Sequence, residues 1–354
     1  MSEEPRPPAE PVLAAVGLQK YFTTRTGIFS KPKPPVRAVD GVSFELQAGE
    51  TLGLVGESGC GKSTTGRMLM GLETPTGGQV LLDGKQVDLA GEDGLRNNVQ
   101  IVFQDPYASL SPRMTVHDIV AEPLRVQKRY GRSENGRTGA ERVADALVAV
   151  GLSQEQGSRY AHEFSGGQRQ RIGIARALVL EPRVIVLDEP VSALDVSIRA
   201  QVLNQLERLQ NERGLAYLFI SHDLSVVRHI CDRVAVMYLG GIVEVGSREE
   251  IFTRPTHPYT QALLSAIPSA DLDAAVVRER IVLRGDVPSP SNPPSGCRFR
   301  TRCWKAQDIC AEQAPVLLPT PGRRAGSVHE MACHFPQAID VLGGEPVGAY
   351  ADAP

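Results

Sequence analysis

Residues 36–46 alternate, with Val42, Phe44 and Leu46 on one side and Ser43 and Glu45 on the other, which predicts a half-buried strand. Residues 12–16, 51–55, 79–82 and 99–103 predict further strands. The unbroken apolar runs at 184–187 and 216–220 have the character of parallel strands buried on both faces. Residues 234–238 and 242–245 flank Gly240-Gly241 and predict a hairpin. Helical periodicity marks 115–127, 140–150, 168–180 and 195–214. The last of these carries Val202, Leu206 and Leu209 on one face and Gly214 at its end. These patterns predict an α/β core over 12–267, with a helical lobe inserted at about 105–181. After 267 the composition shifts: 288–294 is Pro/Ser-rich and four cysteines follow, predicting a small separate module over 268–340. The ends, 1–11 and 341–354, have the composition of disordered segments.

Composition narrows the class. The 354 residues are 42% hydrophobic, enough for a substantial core, and the net charge of −3 gives no reason to expect nucleic acid. The acidic, Pro-rich start lacks the basic and apolar regions of a signal peptide, and no apolar run approaches the roughly 18–20 residues that span a bilayer. Work at a membrane would therefore need a partner. Six cysteines in a chain of cytosolic character argue against a disulfide framework.

The chemistry begins where the 51–55 strand meets Gly56-Glu57-Ser58-Gly59-Cys60-Gly61-Lys62-Ser63-Thr64. Strand, glycine-rich loop and helix are the context in which G-x-x-x-x-G-K-[ST] cradles phosphate. Loop amides and the helix N-terminus face the anion, Lys62 reaches the β/γ-phosphates, and the Ser63 hydroxyl holds Mg²⁺. A second edge is Asp188-Glu189, two carboxylates at the end of a buried strand. Alone such a pair is a solvated loop; here Asp188 suits indirect Mg²⁺ binding and Glu189 suits polarising a water. Ser165-Gly166-Gly167-Gln168, opening a helix, is a second anion-binding edge. Two phosphate-binding edges in one chain suggest a dimer in which each completes the other's site.

In identity, order and spacing these motifs resemble the ATPase subunits of ABC transporters over nearly the whole chain. The implied fold is a P-loop NTPase with a RecA-like core, an antiparallel β subdomain, the helical lobe and the C-terminal Cys-rich module. Phe164 stands where the family's signature normally has Leu. The resemblance places the Q-loop glutamine at Gln104, the D-loop at Ser192-Ala193-Leu194-Asp195, the switch histidine at His222 and the adenine-stacking aromatic at Phe22, with Tyr21 the alternative. It implies ATP hydrolysis with Glu189 as base, Gln104 and His222 orienting the water, and Gln104 also touching Mg²⁺. His117, His162 and His229 are read as structural.

Three stretches narrow the resemblance: 104–114, His257-Pro258-Tyr259-Thr260, and 288–303. They are similar to the ATP-binding subunits of bacterial oligopeptide and dipeptide importers, particularly the second of the two ATPase subunits. That family also includes importers of nickel, glutathione and some sugars. The implied partners are a second ATPase subunit (a heterodimer is favoured), two membrane permease subunits and, indirectly, an extracytoplasmic substrate-binding protein. The implied location is the cytoplasmic face of the bacterial inner membrane, with 107–114 as the permease contact. A soluble ABC ATPase of repair is disfavoured because the gap between the nucleotide motifs holds only an ordinary helical lobe.

Cys297, Cys303, Cys310 and Cys333 lack the close pairs of zinc ribbons. Related importer ATPases carry a similar quartet that ligates a [4Fe–4S] cluster, and the resemblance implies the same here. Zinc remains the alternative, with His329 and His334 as further ligands.

Overall fold

A computed structural model describes residues 10–23, 34–88, 95–105, 109–267, 280–323, 327–339 and 341. Most of the N-terminal arm and of the C-terminal tail, Tyr107 and the basic loop 24–33 lie outside the described residues.

The alternation at 36–46 becomes β2 (Val36–Leu46), with Val42, Phe44 and Leu46 buried and Ser43 and Glu45 exposed. It pairs antiparallel with β1 (Leu13–Phe22), and β1 pairs with β4 (Gly77–Leu82), which turns back into β5 (Lys85–Gln86). The first strand is longer than the 12–16 expected. Its register slips between Ala15 and Leu18, around Gly17 at φ 58°, and this irregularity breaks the alternation that would have revealed the rest.

The main sheet is built on β3 (Thr51–Val55), β6 (Val99–Val102), β7 (Val184–Asp188), β8 (Ala216–Ser221) and β9 (Arg233–Tyr238), all parallel. β10 (Gly241–Ser247) pairs antiparallel with β9, and short strands β11 (Leu318–Pro319) and β12 (Glu330–Met331) extend the same edge. The order is β11-β12-β10-β9-β3-β8-β7-β6. Strands β3, β7 and β8 are buried throughout, as their unbroken apolar runs require.

Helix α1 (Lys62–Leu69) follows β3, and α2 (Leu95–Asn98) precedes β6. The inserted lobe consists of α3 (Val116–Val126), α4 (Gly139–Ala149) and α5 (Gly166–Leu178). Each begins at a hydroxyl N-cap: Thr115, Thr138 and Ser165, the last two closed into capping boxes by Glu141 and Gln168. Their apolar faces, including Ile119, Leu124, Val143, Leu147, Ile172 and Leu178, share one core. After β7 come α6 (Val196–Arg213), ended by Gly214 at φ 65°, and α7 (Leu224–Ile230), with the buried Cys231 at its C-cap. Helices α8 (Arg248–Thr253) and α9 (Pro258–Ser265) follow, and α10 (Asp308–Glu312) lies among the cysteines. The C-terminal region packs on the sheet edge through β12 and through Phe299, 1% exposed, whose ring meets Tyr238 edge-on and Tyr259 at a tilt, at centroid distances of 5.2 and 5.4 Å. No helix among the described residues is long and apolar enough to cross a membrane.

Candidate active site

The three central strands β3, β8 and β7 end side by side, and the candidate residues emerge from their carboxyl ends, where ligands sit in open α/β sheets. The phosphate loop leaves β3. It needs glycine at two points for space as well as conformation: Gly56 has φ 153° and Gly61 φ 109°, and a Cβ on either would lie 2.1 Å from a carbonyl oxygen, of Met237 and Ala38 respectively. Ser58 and Gly59 form the exposed crest, while Cys60 is buried and its thiol is pushed up by burial.

Lys62 is 5% exposed, and its ammonium donates to Gly56 O (2.8 Å) and Glu57 O (3.0 Å). The lysine is thus curled into its own loop, and its charge is solvated by carbonyls that phosphate oxygens would replace. Ser63 follows on α1, and its hydroxyl donates to Asp188 Oδ1 at 2.9 Å across the gap between α1 and β7. Burial raises the Asp188 pKa, opposed by this bond. A hydroxyl beside a carboxylate is the hard-oxygen pair that Mg²⁺ accepts. Thr64 lies next along α1, half-buried.

Glu189 is reached by a left-handed turn, φ 49°, a conformation uncommon outside glycine, and its own amide donates to Ile220 O. Both carboxylate oxygens are engaged: Gln104 Nε2 donates to Oε2 at 2.7 Å, and His222 Nδ1 lies 3.0 Å from Oε1. The glutamine arrives from the end of β6 and the histidine from the end of β8, so three strands converge on one acid. Asp223, next to the histidine, caps α7 and accepts from Arg199, which anchors the turn that presents the ring.

Phe22, at the end of β1, is 39% exposed with the Lys20 ammonium 5.0 Å from its ring centroid. Tyr21 points the other way, its hydroxyl bonded to Asp40.

The second anion edge opens α5. Ser165 is exposed and caps α5, bonding Gln168 N–H rather than the phosphate loop. Gly166 and Gly167 open the helix. A Cβ on Gly167 would lie 2.3 Å from the Ile198 side chain, so α5 and the start of α6 touch there. That contact places the signature beside Asp195, exposed at the start of α6 without a side-chain cap, and Val196, 81% exposed. Phe164, where Leu is usual, is 3% exposed under the Arg159 guanidinium.

The cysteines are brought together but not into an ion cage. Cys297, Cys303, Cys310 and Cys333 border one small cavity with His257, Lys305 and His334. Among the described residues no group of three or more His, Cys, Asp or Glu side chains is placed to hold a metal ion. A tetrahedral zinc site, with Zn–S near about 2.3 Å, needs tighter convergence. His329 is corrected as a zinc candidate: it bonds the buried Glu244 carboxylate at 2.8 Å. His334 Nε2 meets Gln313 O.

Of the expected permease contact, residues 109–114 are described: Ser111, Pro112 and Arg113 are exposed and Leu110 is 4% exposed. An open cleft of about 760 Å³ adjoins the segment, lined by Leu72, Phe103, Val126 and Arg176 among others, and Arg176 ties it to the segment by donating to Ser109 O at 2.8 Å. Pattern reading also passed over Glu57, Tyr259 and Arg302. Tyr259 donates nothing to the sequence signal beyond a turn before a helix, yet its hydroxyl accepts the Glu57 N–H at 2.9 Å.

A phosphate loop, a strand-end acid held by glutamine and histidine, and a second anion edge facing outward define a P-loop ATPase of the ABC type. Residues 39–192 match the ABC transporter family, and 243–310 match the oligopeptide/dipeptide transporter C-terminal region. The chain is 54% identical over 330 residues to the oligopeptide transport ATP-binding protein AppF of Bacillus subtilis, covering 92% of this chain and 98% of that protein. It is also 54% identical over 310 residues to the dipeptide transport ATP-binding protein DppF of Haemophilus influenzae, covering 87% and 93%. The chain belongs to this family of ABC-transporter ATP-binding subunits. Among solved structures it resembles cbiO1 of Clostridium perfringens, part of an ABC transporter complex (TM-score 0.57, 28% identity, 69% of this chain and 91% of that one). It also resembles MJ0796, a dimeric ATP-binding cassette bound to ADP and Pi (TM-score 0.56, 27% identity, 67% and 98%).

Proposed function

We propose that this chain is the ATP-hydrolysing motor of an importer for oligopeptides or dipeptides, with Glu189 as the catalytic base. The observation that carries the hydrolytic reading is the Glu189 carboxylate, bonded by Gln104 on one oxygen and His222 on the other, one strand away from Lys62 and Ser63. The cargo class is supported by the 54% identity to peptide-transport relatives over most of the chain.

Phosphoryl transfer to water needs position and charge compensation more than covalent chemistry. The loop amides from Gly56 to Thr64 and the released Lys62 ammonium bind the triphosphate, with the adenine on Phe22. Ser63 and Gln104, with Asp188 acting indirectly, would hold Mg²⁺, which would supply charge to the phosphate oxygens. Glu189 takes the proton of the attacking water while His222 and Gln104 fix its direction. Loss of such a base typically costs about 10²–10⁴ in rate. Glu189→Gln is therefore expected to bind MgATP and hardly turn over; near-normal hydrolysis by that variant overturns the assignment.

Ser165 is exposed and bonded to Gln168 of its own helix, which supports a signature that serves a partner chain, with the exposed Asp195 at the contact. The partner is a second ATPase subunit, a heterodimer being the preferred arrangement, and the pair works at the cytoplasmic face of the cell membrane beneath two permease subunits. The open cleft beside Phe103 and Val126 is the permease-docking surface, supported by its position next to the nucleotide-sensing Gln104. Delivery of cargo by an extracytoplasmic binding protein follows from the same reading.

For the cysteines the preferred reading remains a [4Fe–4S] cluster, with zinc the alternative: Cys297, Cys303, Cys310 and Cys333 border one cavity and would hold it, thiolate being the ligand both prefer. Iron and acid-labile sulfide in brown, anaerobically purified protein support it; colourless protein with stoichiometric zinc overturns it.

A further inference from the structure

Arg302 belongs to none of the nucleotide motifs, yet it reaches the phosphate loop across 245 residues of sequence. Its Nη1 donates to Glu57 Oε2 at 2.8 Å and its Nη2 to Oε1 at 3.2 Å, the two-bond fork that guanidinium and carboxylate planes favour. The arginine side chain is 9% exposed and that of Glu57 27%, so water screens the pair weakly. Glu57 is held at two further points: its N–H donates to the Tyr259 hydroxyl at 2.9 Å, and its carbonyl accepts from Lys62 at 3.0 Å.

Two of these three grips come from beyond the strand β10. They are rigidly mounted. The Arg302 amide donates to Phe299 O, and Phe299 is packed between Tyr238 and Tyr259. Arg298, one turn earlier, donates to Leu239 O at 2.6 Å and to Asp40 Oδ2 at 2.8 Å. The charge logic is simple. Glu57 puts a carboxylate into a loop whose ligand is a polyanion, and an unpaired carboxylate there repels it. Pairing with Arg302 cancels that repulsion.

We propose that Arg302 is a positioning residue for the nucleotide: by neutralising Glu57 beside the polyanion it makes the C-terminal region part of the ATP site. This rests on the ATP-binding reading of the loop. The test uses the full chain, titrated with MgATP by calorimetry and followed by steady-state hydrolysis. R302Q is expected to weaken MgATP binding and raise KM about tenfold, with kcat within about twofold, the pattern of lost uniform binding. The double variant E57Q/R302Q is expected to return to within about twofold of the original affinity, because the uncompensated carboxylate is gone. Unchanged affinity in R302Q, or a double variant no better than R302Q, overturns the proposal. If R302Q does not fold, E57Q alone decides: a guanidinium left unopposed tightens MgATP binding, and an unchanged or weaker affinity overturns it. Failure of the original chain itself to bind MgATP would instead sink the ATPase reading.

Discussion

Lys62 and Asp188 show how single side chains are poised against their own stability. The Lys62 ammonium, 5% exposed, is satisfied by two loop carbonyls and the Cys60 sulfur, so it carries a buried charge that a stronger anionic partner would take. With a charge-assisted bond worth ~1.5–3 kcal/mol, Lys62→Ala is expected to weaken MgATP binding about 10- to 100-fold, measured by calorimetry. Asp188 is 6% exposed, and burial holds its folded pKa above the unfolded one. A carboxyl of this kind supports the fold at low pH and withdraws that support as pH rises through its folded pKa. Asp188→Asn, which mimics the neutral form, is therefore expected to raise the thermal midpoint of the nucleotide-free chain at neutral pH. The gain should fade as pH is lowered, and hydrolysis should be lost throughout. A midpoint gain independent of pH would contradict this account. The motif alone named both residues. It did not reveal Glu57 or Arg302, since a salt bridge across 245 positions leaves no local pattern.

At the scale of elements, strands and helices with one environment along their length were legible. The runs at 51–55, 184–187 and 216–220 are β3, β7 and β8 because each is buried on both faces, and the lobe helices announce themselves by a 3.6-residue period, while their caps at Thr138 and Ser165 came from the structure. Strand β1 was only half legible because a register shift breaks its period. Helix α9 is capped by His257, whose Nδ1 accepts the Tyr259 N–H at 3.1 Å. Burial lowers that imidazole from the ordinary 6.5 to about 4. The folded chain therefore binds fewer protons here than the unfolded one, and stability present above 6.5 is lost as pH falls toward 4. His257→Asn retains a capping acceptor and removes the titration, so its thermal midpoint should fall less over that window. The phosphate loop depends on close approach in the same way: Gly61→Ala places a methyl 2.1 Å from Ala38 O and is expected to abolish nucleotide binding by calorimetry.

For the whole molecule, the separation of the two anion edges is the decisive feature. The phosphate loop sits at the strand ends, whereas Ser165 and Asp195 lie exposed where α5 meets α6. Ser165→Arg is therefore expected to leave MgATP binding by the isolated chain within about twofold while cutting hydrolysis by the assembled pair by about 10²-fold, since it removes an anion-binding edge from the partner's site only. Equal loss of binding in the isolated chain would place the signature in its own site.

The sequence alone determined the catalytic chemistry, because a phosphate loop and a strand-end acid are local devices: each needs only a strand, a turn and the right residues in order. It also determined the family, whose motifs recur at fixed spacing. The tertiary structure alone decided what those devices touch. The carboxylate of Glu189 meets Gln104 and His222 because three strands distant in sequence end together. Four cysteines border one cavity because the C-terminal region folds back on the sheet edge. That same return brings Arg302 to Glu57, a contact created by packing and invisible to any periodicity.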